Sequence, residues 1–384
     1  MRYYAVAIAI AVATLTASSR DVRAQPTPVD LATLPTSTEP PDVVLFTFGP
    51  GERIFERFGH AALCLRYGAD DARAVCFNYG VTDFDSGWGL TWSFLRGTQR
   101  FWVDPENWGT MIGFYEREDR DIWRQDLALT PTQRRAVETA LHRGLEPANR
   151  EYDYDHFFDN CTTRLRDVID AAVDGKLRAG ATGDYPLSFR QIGHRGLVVV
   201  PALYALADFV VGRTIDATPT AWQAMFYPDV LRHQVAVELG APPVLVNARK
   251  GPPFPTEGTT GRLAMFLLGL GCALPIGLAR WRRRFERVAL GWTTFYLGLW
   301  GLVIWTLVAM SSIPALRWNE AVLVLVPLDL ALPLFSVTGR RRYARIRIAC
   351  LLAVSALAAI GVLHQPLFVP ISWALVPLAI IAFW

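Results

Sequence analysis

The stretch FFDNCTTRLRDVID, residues 157–170, places a cysteine at the first turn of a predicted helix. Asp159 and Asn160 are strong N-cap residue types, and Leu165, Val168, Ile169 and Ala172 recur behind them at helical spacing. Cys161 then sits where unpaired backbone N–H groups and the positive end of the helix dipole favour an anion. That setting predicts a thiol pKa lowered toward that of a nucleophile. A small buried side chain fits the same position, because free cysteine is often core filling. Position alone supports both readings.

Export is written at the other end of the chain. MRYYAVAIAIAVATLTASSRDVRAQ has an early Arg2, an apolar run from Ala5 to Leu15 and a Val22-x-Ala24 cleavage pattern. This reads as a signal peptide over 1–24, since the run is short for an uncleaved anchor. No cysteine closely follows the run, so the chain is not expected to be a lipoprotein itself. The Pro/Thr-rich residues 25–41 read as a linker. Residues 42–260 have the hydropathy of a soluble domain, whereas 261–384 are dominated by apolar segments. A net charge of +3 gives no argument for nucleic acid.

Five membrane spans are predicted, at about 262–280, 288–310, 320–337, 346–363 and 368–384. The connections WRRRFER (281–287) and GRRRYARIR (339–347) are basic and belong in the cytoplasm by the Lys/Arg bias, which puts 42–260 outside, as the signal peptide also requires. Asp329 falls inside the third span beside Pro327 and Pro333; it is either a headgroup contact or, as we read it, a structural hydrogen-bonding group. Arg317 at the outer interface is a candidate phosphate contact. The apolar helix at 198–212 is either a core helix or one lying on the bilayer.

Within the exported part, VVLFTFG (43–49), HAALCLRY (60–67) and RAVCFNYG (73–80) alternate like strands, and the last two form a hairpin about GADDA. That register sets Cys64 opposite Cys76, where a disulfide would leave Cys161 as the odd exported thiol. It also sets His60 and Asn78 on one face, with Asn78 diagonal to the ring. A thiol, a base and a polar group to hold the imidazole are the parts of a cysteine–histidine catalyst. His156, five residues before Cys161, is the alternative base. SFLRGTQRFWV (93–103) reads as a strand, and a helix begins at Thr130-Pro131 with Val137, Ala140 and Leu141 on one side. No His/Cys spacing matches a zinc site, and no cofactor is expected.

The motifs FERFGHAAL, FNYGVTDF, FLRGTQRFW, YEREDRDIWRQDLALTPTQ, ANREYDYDHFFDNCTTRLRD, MFYPDVL and LRWNEAVLVLVPLDL resemble the family called Lnb N-terminal periplasmic domain. Its membrane-bound members include a bacterial lipoprotein N-acyltransferase. The resemblance implies an α+β exported domain similar to the permuted NlpC/P60-like papain fold used by lecithin:retinol acyltransferases, followed by an all-α transmembrane bundle. It implies Cys161 as nucleophile and His60 as base; relatives of this fold use different polar groups at the third position, for which the strand register selects Asn78, with Tyr79 as second candidate. Asn160 and Arg164, with Asp159 and Thr163, would shape the turn; Tyr79, Asn160 and Arg164 are also candidate substrate contacts, although a salt bridge is the expected role of Arg164. The implied partners are a phospholipid acyl donor, a lipoprotein acceptor and the bacterial inner membrane, with the catalytic domain in the periplasm. A cell-wall peptidase or amidase and a non-catalytic scaffold are the rival readings.

Overall fold

The computed structural model describes residues 34–68, 71–82, 88–255 and 257–383. The signal segment and most of the linker therefore lie outside the described residues, as does the tip of the GADDA turn. The chain forms two compact units. One comprises the exported part up to Pro186 together with Pro219–Phe254; the other comprises Leu187–Thr218 and the chain from Pro255 onward. The expected boundary near residue 260 is thus crossed once, because Leu187–Thr218 clusters with the C-terminal region.

In chain order the first unit contains β1 (Asp42–Phe48), β2 (His60–Arg66), β3 (Ala74–Val81), α1 (Trp88–Arg96), β4 (Arg100–Asn107), α2 (Trp108–Arg117), β5 (Ile122–Asp126), α3 (Pro131–Gly144), β6 (Glu151–Asp153) and α4 (Cys161–Ala172). After α5 (Pro201–Val210) of the second unit come α6 (Pro228–Leu239) and β7 (Val244–Asn247) of the first. The seven strands form one antiparallel sheet in the order β6-β4-β3-β2-β1-β5-β7. The three strands expected from alternation are present, and Cys64 pairs with Cys76 and is bonded to it. Residues 93–96, expected as strand, instead finish helix α1, and the strand begins at Arg100. The helix ends where Gly97 adopts φ 70, and Thr98 N–H closes the turn on Ser93 O.

Strand alternation divides the sheet into two faces. Val44, Phe46, Phe48, Ala62, Cys64 and Cys76 point one way, into a core with Trp108 and Met111 of α2 and with Ile122. Burying Phe46 and Phe48 there contributes about 1.5–3 kcal/mol each. The opposite face is covered by helices: Tyr67 Oη donates to Glu138 of α3, Phe77 meets the His142 ring of α3, and Arg232 of α6 donates to Thr47. Helix α4 packs against α3 and against β2 and β3.

One irregularity interrupts this sandwich. The β2–β3 ladder runs only from Leu63↔Phe77 to Arg66↔Ala74. Past it, His60–Ala62 pair with β1 alone, and Asn78–Val81 pair with β4 alone across a bulge at Gly80. The two strands splay, and the sheet opens between them.

The second unit contains α5, α7 (Arg262–Arg282), α8 (Glu286–Met310), α9 (Val337–Ala359) and α10 (Phe368–Ala382). Among the described residues, two helices are long and apolar enough to cross a membrane, Arg262–Arg282 and Glu286–Met310. The third expected span is not a continuous helix: residues 320–323 and 327–334 are short 3-10 turns. Pro327 and Pro333 supply no N–H to a helical ladder, and the segment instead lies on glycines of α8. A Cβ on Gly298 would collide with Leu330, and one on Gly301 would meet the Val326 backbone at 2.5 Å. The arginines of 339–347, expected in a loop, lie in the first turns of α9. Helix α5 is a core helix: Phe209 packs on Trp300 and Trp373. Arg317 is exposed beside the buried Asn319.

Asp329 is structural, as expected. It is 1% exposed, accepts from Tyr343 Oη at 2.7 Å and pairs with Arg347 of α9 at 3.2 Å. Removing one partner leaves a buried unpaired charge, which costs about 3–5 kcal/mol. Asp329→Ala should therefore lower the melting temperature of the full chain in detergent sharply, and Asp329→Leu combined with Arg347→Met should recover much of the loss. Equal losses in both variants would refute the pairing as the cause.

Candidate active site

Helix α4 begins as its sequence dictates. Asn160 is extended, with φ −124 and ψ −175, and its Oδ1 accepts the N–H groups of Thr162 and Thr163, both at 2.9 Å. Thr163 Oγ1 returns the favour by accepting Asn160 N–H at 2.8 Å, completing a capping box. Asn160 Nδ2 donates to His156 O and Phe226 O. The side chain is thus spent on the turn and 4% exposed, so its role is to shape the site rather than to contact a substrate. Leu165, Ile169 and Ala172 bury the inner face of the helix. Arg164 pairs with Asp159 at 2.5 Å and lies over the Tyr152 ring at 4.1 Å, the expected salt bridge.

Cys161 is the free thiol left in the exported unit once Cys64 and Cys76 are joined. It lies beside the opening in the sheet. A Cβ on Gly80, which has φ +90, would be 3.3 Å from Cys161 Cβ, and the sulfur is within reach of the backbone N–H of Ala61, the residue after His60. The helix that carries Cys161 packs on one face while His60 belongs to the other, and it is where β2 and β3 splay that Cys161 meets Gly80 and the Ala61 backbone.

His60 is held as the hairpin register required. Its Nε2 is 3.1 Å from Asn78 Oδ1. Oδ1 can only accept, so Nε2 carries the proton and Nδ1 is the basic nitrogen. Phe48 and Tyr115 stack on each other at 3.7 Å, and the His60 ring lies beside that pair, 6.0 Å from each centroid. Tyr79, the second candidate for the third position, points to the opposite face: a Cβ on Gly144 of α3 would be 2.5 Å from its hydroxyl. Asn78 is therefore the partner and Tyr79 is not. His156 is boxed by Phe58, Phe157 and Phe226, and its Nε2 has no hydrogen-bond partner among the described residues, the surroundings of a core residue.

The electrostatics differ from the sequence expectation in one respect. The thiol was expected to have a lowered pKa; burial pushes it up instead, against the hydrogen bonds of Thr162 and of the Ala61, Thr162 and Cys161 backbone. Desolvation outweighs the helix terminus because the surrounding protein excludes most of the water that would stabilise a thiolate. Burial likewise pushes His60 down to about 4, with Asn78 opposing and Arg120 assisting. At neutral pH the resting pair is a thiol and a neutral imidazole. The sulfur's side-chain hydrogen bond is with Thr162 Oγ1 at 3.6 Å, and the imidazole's is with Asn78. Both side chains keep part of their surface exposed, so a reactant can reach them.

Two neighbours escaped sequence reasoning. Arg120, 2% exposed, donates to Gly49 O at 2.7 Å and lies over the Tyr115 ring at 4.7 Å. It sits in the run YEREDRD, which resembles a solvated charge cluster. Glu106 lies across from Cys76 on β4, and Asn78 Nδ2 donates to its Oε2 at 3.4 Å. Its alternation with Asp104 was the available signal.

Residues 35–195 match the family model of the Lnb N-terminal periplasmic domain. No curated protein and no solved structure matches the chain. A periplasmic domain together with two helices able to cross a bilayer fits a membrane protein with a periplasmic domain.

Two outcomes follow from this geometry. Gly80→Ala places a methyl group against Cys161 on a backbone with positive φ, a strain of about 1–3 kcal/mol; alkylation of Cys161 should change while that of Cys350 does not. Burial also holds His156 down to about 4. Between pH 6.5 and 4 the unfolded chain therefore binds a proton at this position that the folded chain does not, and stability falls as pH drops through that window. The slope is at most about 1.4 kcal/mol per pH unit. His156→Phe should flatten the acid dependence of the melting temperature by that share; an unchanged slope would contradict the burial of a neutral ring.

Proposed function

We propose that this chain, whose residues 35–195 match the Lnb N-terminal periplasmic domain, is a thiol acyltransferase. It would move a fatty acyl chain from a phospholipid, through a thioester on Cys161, to the N-terminal amine of a lipoprotein at the periplasmic side of a bacterial inner membrane. The observation that carries this reading is the His60–Asn78 hydrogen bond at 3.1 Å, which turns the basic Nδ1 away from Asn78 while Cys161 lies beside the next residue of the same strand. The family match supports it. The papain-like ancestry and a five-span bundle belong to the same proposal.

In the first half-reaction His60 Nδ1 takes the thiol proton as sulfur attacks the ester carbonyl. The C–O bond breaks, and the imidazolium returns the proton to the departing lysophospholipid alkoxide. In the second, the lipoprotein amine attacks the thioester and His60 takes its proton. The C–S bond breaks, and the sulfur recovers the proton. The Asn160 side chain takes up the Thr162 and Thr163 N–H groups, so the Cys161 backbone N–H is the donor at the start of α4 that would stabilise the oxyanion of each tetrahedral intermediate. Because thiol and imidazole are both neutral at rest, general-base assistance rather than a standing ion pair is what the site supplies. Asn78 keeps the imidazolium oriented between the two transfers.

Complementation tests this reading. Cells lacking lipoprotein N-acylation should recover N-acylated lipoprotein N-termini, read by mass spectrometry, with the full chain but not with Cys161→Ala. His60→Ala should lose about 10²–10⁴-fold in rate, the usual contribution of a positioned base. A hydroxylamine-labile fatty-acyl adduct on Cys161 supports the transferase. A peptidyl adduct would point to an amidase, and undiminished function of Cys161→Ala would point to a scaffold.

A further inference from the structure

The hydrogen-bond chain at His60 does not stop at Asn78. Asn78 is 7% exposed and uses both ends of its amide: Oδ1 faces His60 Nε2 at 3.1 Å, and Nδ2 donates to Glu106 Oε2 at 3.4 Å. The other carboxyl oxygen, Oε1, is buried and has no hydrogen-bond partner among the described residues. A partly satisfied carboxyl beside a catalytic amide is costly and calls for an explanation.

We propose that Glu106 is a positioning residue for His60, acting through Asn78. The inference rests on the reading of Cys161 and His60 given above. A carboxylate can only accept, so it fixes which way the Asn78 amide points: nitrogen toward Glu106 and oxygen toward the imidazole. Its negative charge polarises that amide and stabilises the imidazolium that forms when His60 takes a proton. The groups facing it are Asp104 on its own strand, Tyr115 from α2, and His60 beyond Asn78; Asp104 is in turn paired with Arg150 at 2.8 Å. Arg120 acts on His60 in the opposite sense and disfavours the imidazolium. Burial, then the charge of Asp104, pushes Glu106 up to about 7. The carboxylate is therefore present above neutrality and is lost as pH falls through 7.

The test uses the full chain in detergent and the rate of iodoacetamide alkylation at Cys161, read by peptide mapping from pH 5 to 9. The wild-type profile should show an inflexion near pH 7. In Glu106→Gln that inflexion should vanish, and the rate at pH 8 should fall roughly tenfold, one unit in the imidazolium equilibrium. Glu106→Asp should restore part of the rate, and Asp104→Asn, which leaves Glu106 in place, should move the inflexion to lower pH. Melting temperatures separate these effects from unfolding. Profiles of Glu106→Gln and wild type that superimpose, while His60→Ala still slows alkylation, would overturn the role of Glu106 alone. A wild-type rate indifferent to His60→Ala would overturn the thiol–imidazole reading and this inference with it.

Discussion

Asn160 is the residue on which the site depends. Its amide makes four hydrogen bonds, two to the first turn of α4 and two to the carbonyls of His156 and Phe226. It thereby ties the start of the helix to the loop before it and to a segment 66 residues away in sequence. An exposed N-cap contributes about 0.5–2 kcal/mol. A buried one that also satisfies two carbonyls carries more, because losing it strands those groups away from water. Cys161 is therefore a fixed point, and the rest of the site is arranged around it.

The second requirement is an opening in the sheet. A helix packed on one face cannot normally present a side chain to a residue on the other. Here β3 leaves β2 after Phe77, Gly80 removes the side chain that would fill the gap, and the positive φ there bends the strand away. Three consecutive residues near the end of one strand thus place Asn78 toward His60, Tyr79 toward the helices, and Gly80 against Cys161. The same alternation that builds the core sorts the candidates for the third catalytic position.

Charge in the site is governed by burial more than by partners. Both the thiol and the imidazole are held neutral by desolvation, with Arg120 disfavouring the imidazolium and Asn78, which leads to Glu106, favouring it. The proton transfer from sulfur to nitrogen in the proposed mechanism would create a charge pair here, and the fixed groups around it would set the cost. The second unit solves a comparable problem without chemistry: Asp329 and Arg347 satisfy each other, with Tyr343, around a segment that two prolines prevent from forming a helix.

Much of this was legible in the sequence where the interactions are local. The cap and the 3.6-residue period of 160–172 define α4, and alternation about one turn places Cys64 against Cys76 and His60 near Asn78. These follow from contacts a few residues apart, which a linear pattern records. The fold alone chose Asn78 over Tyr79, confined His156 to a phenyl box, and raised the thiol pKa that the helix terminus was expected to lower. It also brought Arg120 and Glu106 to His60 and turned the segment about Pro327 and Pro333 into short 3-10 turns. Each of these outcomes depends on which distant side chains exclude water from a group, and burial of that kind is a property of the packed chain rather than of neighbours in sequence.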